Sequence, residues 1–92
     1  MPDTKPLSAF VWYHAEHQQE HAFQTWLKYI QSELNIQAKL YKRMQKEKTT
    51  FMEAFEHVDC ATIEKIEQLA TQQYCFNGIH RQCESFERIT TP

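Results

Sequence analysis

The segment Thr49–His57, TTFMEAFEH, sets three large apolar residues, Phe51, Met52 and Phe55, around one carboxylate, Glu53. A short aromatic run of this kind reads as a β-strand, in which successive side chains point to opposite faces. Phe51, Glu53 and Phe55 then share one face, and Met52 and Ala54 share the other. A carboxylate between two phenylalanines needs a partner, because burying an isolated charge is costly. Arg43, Arg81, His14, His80 and Gln82 are the candidate partners, with Glu84 in the same network.

Upstream, the polar run QKEK, Gln45–Lys48, reads as a turn. Before it, residues 36–44 alternate weakly, with Ala38, Leu40 and Met44 against Lys39, Tyr41 and Arg43. The two strands make a hairpin, although the Asn-Gly signal of the tightest turns is absent. Lys42, Arg43, Lys46 and Lys48 cluster around its solvated tip. Further upstream, Phe23, Trp26, Leu27, Ile30 and Leu34 form one apolar stripe at helical spacing. Glu16 and Glu20 suit the positive end of that helix, and Asn35 is a left-handed stop. Residues 7–14, LSAFVWYH, read as a first strand, with Phe10, Trp12 and His14 on one face and Val11 and Tyr13 on the other. Downstream, Asp59 is a good N-cap for a second helix with the stripe Ile63, Ile66, Ala70 and Tyr74, flanked by Leu69. Asn77 and Gly78 break the chain, and residues 79–89 read as a last strand with Cys83 and Phe86 buried.

The order βαββαβ predicts an α+β, ferredoxin-like fold: a four-stranded antiparallel sheet with two helices on one face. The sequence is expected to form one domain over residues 1–92, with residues 1–6 disordered. The other face of the sheet is left uncovered. If Phe10, Trp12, Phe51 and Phe55 all lie there, the patch needs a partner. Three partners fit. RNA recognition motifs have this element order, but strand three here lacks their basic-Gly-aromatic-Gly start, and Glu53 and Glu84 would meet the phosphates. A second copy would turn the aromatics into the shared core of a dimeric α+β barrel. A monomer could instead hold a small ligand or another protein. The homodimer is the preferred reading.

Net charge is −2 over 92 residues, which argues against a protein held to nucleic acid by charge. No apolar run has the length of a signal peptide or a membrane span, so a cytoplasmic location without membrane contact is expected. Cys60, Cys75 and Cys83 are odd in number and without a CxxC, which fits free thiols in a reducing compartment. HQQEH, His17–His21, matches a zinc-peptidase pattern, but no third ligand is evident, and neither a metal nor a cofactor is expected. His14, His57 and His80 lie on predicted strands and could converge.

Several of these segments resemble a family of short bacterial proteins of unknown function, related to the dimeric α+β barrel superfamily. Its first strand is aromatic-rich, like Phe10-Val11-Trp12-Tyr13. Its third strand reads Thr-Trp-Met-Glu-x-Tyr, which Thr50-Phe51-Met52-Glu53-Ala54-Phe55 matches with conservative changes. Its last strand reads Arg-His-Thr-Glu-x-Phe, matched here at Arg81, Glu84 and Phe86. A basic pair like Lys42-Arg43 closes its second strand. Gln82 departs from the family His, while His80 lies two residues earlier, and Met44 replaces a Pro. The resemblance implies a barrel dimer but no settled activity. Its superfamily holds small monooxygenases and haem-degrading enzymes as well as non-enzymes, so an enzyme acting on an apolar aromatic ligand is the alternative function. The candidate pocket or interface residues are Trp12, His14, Arg43, Glu53, His80, Arg81, Gln82 and Glu84. Catalytic residues are not assigned.

Overall fold

The computed structural model describes residues 7–89, so the expectation for residues 1–6 lies outside the described residues. The chain runs through β1 (Leu7–His14), α1 (Glu20–Leu34), β2 (Ala38–Gln45), β3 (Lys48–Val58), α2 (Cys60–Ala70) and β4 (Gln82–Glu87). The four strands form one antiparallel sheet in the order β2-β3-β1-β4. This is the ferredoxin-like α+β arrangement that the element order predicts.

Local chemistry explains most element boundaries. Asn35 stops α1 in the left-handed conformation, at φ 53°. Asp59 caps α2 by accepting the Thr62 backbone N–H at 2.7 Å. That hydrogen bond holds the Asp59 carboxyl below its usual pKa range. Lys46 and Glu47 both have positive φ, 51° and 64°, and make a two-residue mirror-type turn without glycine. At the far end of β3 the register slips between Leu7 and Ala9, and His57 sits at φ 57° in the resulting bulge.

Two elements end earlier than their patterns suggest. α2 stops at Ala70, and Tyr74 belongs to a separate 3₁₀ turn, Tyr74–Phe76, where it is 90% exposed. β4 covers only Gln82–Glu87, and Phe86 lies 53% exposed rather than buried.

The register decides which face is the core. Tyr13 pairs with Phe51 and Val11 with Glu53 across β1 and β3. Val11, Tyr13, Phe51, Glu53 and Phe55 are all buried, and the apolar members pack with Phe23, Trp26, Leu27 and Ile30 of α1 and with Ile66 and Ala70 of α2. Phe51 and Phe55 therefore do not share the open face with Phe10 and Trp12. The aromatic face of β3 faces the helices because the Phe23, Phe51, Tyr13 and Phe76 rings form one cluster there, with centroids 4.8–6.1 Å apart.

Candidate functional site

Glu53 sits on the helix side of the sheet, fully buried, in a row with Leu40, Val11 and Cys83. Its carboxylate is well satisfied. Arg81 grips it with both terminal nitrogens, Nη1 to Oε2 at 2.9 Å and Nη2 to Oε1 at 3.0 Å. The Tyr13 hydroxyl, one diagonal step away, donates to Oε2 at 2.6 Å. Arg81 then turns its other edge to Glu67 of α2, with Nε to Oε1 at 3.1 Å and Nη2 to Oε2 at 2.6 Å. The guanidinium lies 4.4 Å over the Phe76 ring, a distance suited to cation–π attraction. One arginine thus ties β3, α2 and the lead-in to β4.

The electrostatics follow from burial. Burial pushes the Tyr13 hydroxyl pKa up, and the Glu53 charge and hydrogen bond push it further, so Tyr13 stays a neutral donor. Burial alone would lower the Arg81 pKa, but its hydrogen bonds to Glu67 and Glu53 and their charges win and raise it. Burial also raises the Cys75 and Cys83 thiols, with the Glu53 charge adding at Cys75 and the Glu67 charge at Cys83. Removing one member of such a buried pair strands the other, which is the expensive outcome. The three charged members of the network, Glu53, Arg81 and Glu67, carry a net negative formal charge, and beside them lies a cleft of about 600 Å³ reaching His80 and Gly78.

The open face is built differently. Its rows cross the strands in register: Lys39–Ala54–Phe10–Glu84, then Tyr41–Met52–Trp12–Gln82, then Arg43–Thr50–His14. Phe10, Trp12 and Met52 are half-buried, and Tyr41 and Phe86 are about half exposed. Phe10 and Phe86 lie 5.8 Å apart, ring to ring. His14 Nδ1 and Thr50 Oγ1 are within hydrogen-bonding distance at 3.0 Å. The basic pair of β2 is split by alternation. Lys42 pairs with Glu20 of α1 on the helix side and holds that carboxyl below its usual pKa range, whereas Arg43 stands on the open face.

The eight candidate residues therefore divide between two sides of the sheet. Glu53 and Arg81 meet on the helix side, with His80 at the neighbouring cleft. Trp12, His14, Arg43, Gln82 and Glu84 belong to the open face. His14, His57 and His80 do not converge: His14 ends β1, His57 lies at the opposite end of the β1–β3 ladder, and His80 precedes β4. Among the described residues no group of three or more His, Cys, Asp or Glu is placed to hold a metal. Sequence reading missed two members of the network. Glu67 had a readable signal, since it falls four residues after Ile63 and three before Ala70, on the apolar stripe of α2. Tyr13 had only its parity with Val11.

Solved structures of low sequence identity share this fold. The de novo designed protein Foldit4 superposes with a TM-score of 0.64 at 13% identity, covering 92% of this chain and all of that one. The de novo designed protein Ferredog-Diesel gives 0.55 at 5% identity over 95% of this chain and 89% of its own. PelD from Pseudomonas aeruginosa PA14, in complex with c-di-GMP, gives 0.55 at 8% identity over 92% of this chain and 33% of that one. Identities this low establish the ferredoxin-like fold alone. No protein-family model and no curated protein matches the chain. No helix among the described residues is long and apolar enough to cross a membrane.

Proposed function

We propose that the protein is a cytosolic homodimer in which two open sheet faces meet as a dimeric α+β barrel and enclose a small-molecule site. The unpartnered aromatic face carries this reading. Phe10, Trp12, Tyr41, Met52 and Phe86 cover it without help from a helix. Full burial of each large apolar side chain would contribute roughly 1.5–3 kcal/mol. Two sheets stack about 10 Å apart with their strands within about 30° of each other.

Charge along one row favours a second copy as the partner. Lys39 stands at the β2 end of its row and Glu84 at the β4 end. A two-fold axis parallel to the strands lays β2 of one copy over β4 of the other. Lys39 of each copy then faces Glu84 of its mate in the same row, so the face complements itself. The resemblance of the strand motifs to those of a family of short bacterial proteins related to the dimeric α+β barrels supports the same architecture. Three unpaired cysteines support a reducing setting.

Light scattering at micromolar concentration is expected to give twice the chain mass of 11.1 kDa. Trp12→Glu is expected to give a folded monomer. A monomeric wild-type chain would overturn the proposal.

A further inference from the structure

Two clefts combine an arginine with aromatic walls, and the charges around each arginine decide between them. The larger, beside α2, contains Arg81, but that guanidinium already faces two carboxylates. The smaller, about 350 Å³, lies on the open face and is walled by Trp12, Tyr41 and Met52, with Thr50 and Arg43 at its end. Its volume falls in the usual range for small-molecule sites. Among the described residues nothing pairs with Arg43, so this cavity holds an uncommitted cation.

Sheet geometry fixes the shape. Tyr41, Met52 and Trp12 are directly paired neighbours on three adjacent strands. Strands lie about 4.8 Å apart, so the Tyr41 and Trp12 backbones stand about 9.6 Å apart across Met52. An inserted ring in contact with an aromatic on each side needs roughly 7 Å between those two rings. Two residues further along the strands, about 6.8 Å on, comes the row Arg43–Thr50–His14. The Arg43 fork can bind a carboxylate through two nitrogens, and the Thr50 hydroxyl can add a donor when His14 Nδ1–H donates to Thr50 Oγ1. β4 ends its pairing with β1 at Trp12–Gln82, so no strand flanks His14 on that side and the polar end has an open mouth.

We infer that the open face holds a slot for a planar aromatic carboxylate, its ring between Trp12 and Tyr41 over Met52 and its carboxylate on Arg43 and Thr50. Every group belongs to one chain. In the strand-parallel stacking Trp12 of a second copy comes over Met52, so the ligand ring takes that place from it, and the two readings can fail separately.

The chain has two tryptophans, which supply a reporter and a control. Trp12 walls the slot, while Trp26 is buried on the helix side. In a titration with 2-naphthoate, followed by nuclear magnetic resonance of the indole N–H groups, Trp12 shifts saturably and Trp26 does not. The expected Kd is about 0.1–1 mM for a ligand of this size. 2-Naphthamide and inorganic phosphate bind roughly tenfold more weakly or worse, as does 2-naphthoate with Arg43→Gln or Tyr41→Ala. Light scattering on the same samples reports the dimer. A wild-type dimer whose Trp12 signal is unmoved at about 5 mM naphthoate overturns the slot. So does equal binding of the amide or of phosphate, or full affinity in Arg43→Gln. Saturable binding to a monomer overturns the dimer and leaves the slot standing.

Discussion

On the helix side of the sheet Arg81 makes four hydrogen bonds to two carboxylates, while on the open side Arg43 stands exposed and unpaired among the described residues. Both arginines belong to the same small sheet, yet they meet different physics. Arg81 is buried, so its charge is tolerable only with partners in place, and its contacts hold strand, helix and lead-in together. Arg43 keeps its hydration and its reach, which suits a group that meets something from outside. Committed charge marks structure here, and on the slot reading the uncommitted charge serves recognition.

The sharpest way to break this contrast is to remove each arginine. Arg81→Met leaves Glu53 buried without its cation. Unfolding free energy in urea is expected to fall by about 3–5 kcal/mol. Adding Glu53→Leu removes the stranded charge and should recover much of that loss, because a well-packed apolar pair often replaces a buried ion pair at little cost. Arg43→Gln should stay within about 0.5 kcal/mol of wild type, as surface changes do. A large loss in Arg43→Gln, or none in Arg81→Met, would end the distinction.

Tyr13 probes the same network more gently. Tyr13→Phe removes the hydroxyl that donates to the Glu53 carboxylate, at an expected loss of about 1.5–3 kcal/mol near neutral pH. The pH dependence has a definite sign. The folded Tyr13 pKa is raised, so its contribution is complete below the unfolded value near 10 and is lost as pH rises above it. Wild type should then lose stability at up to about 1.4 kcal/mol per pH unit, a slope that Tyr13→Phe lacks. Cys75 and Cys83, also raised, act in both proteins and cancel in the difference. Parallel alkaline unfolding curves would show that burial and Glu53 do not hold Tyr13 neutral.

The same contrast explains what could be read from the sequence. Element order, the Asn35 stop, the Asp59 cap and the need of Glu53 for a partner were legible, because each depends on residues close in the chain or on one residue's chemistry. The side of the sheet was not. Both parities of β1 are apolar, Phe10 and Trp12 on one and Val11 and Tyr13 on the other, so composition cannot say which meets Phe51. Only the long-range register Tyr13–Phe51 decides it. For the same reason Arg81 could be proposed as a partner while Tyr13 went unnoticed. Tyr74 extends the apolar stripe of α2 past its end, Ile79 and Ile89 extend that of β4 past both of its ends, and Phe86 within β4 is not buried by the chain.

The smallest effect concerns the open face alone. If two copies stack with the two-fold axis along the strands, Lys39 of each faces Glu84 of the other at the rim. Exposed pairs of this kind are worth about 0.2–1 kcal/mol each. The dimer has two of them by symmetry, so Lys39→Glu exchanges two attractions for two repulsions. Dimer affinity should fall roughly tenfold while the fold of each chain is unchanged. Adding Glu84→Lys restores opposite charges in both places and should restore the affinity. The single variant's deficit should shrink in 1 M salt, where the screening length drops to about 3 Å. The orientation matters to the outcome. An axis across the strands would lay β2 over β2 and bring Lys39 close to its own symmetry mate, and then Glu84→Lys could not rescue Lys39→Glu. Sedimentation equilibrium on the wild type, both single variants and the double variant separates the two stackings. Rescue in the double variant supports the strand-parallel axis, and its absence rejects that axis even if the dimer itself persists.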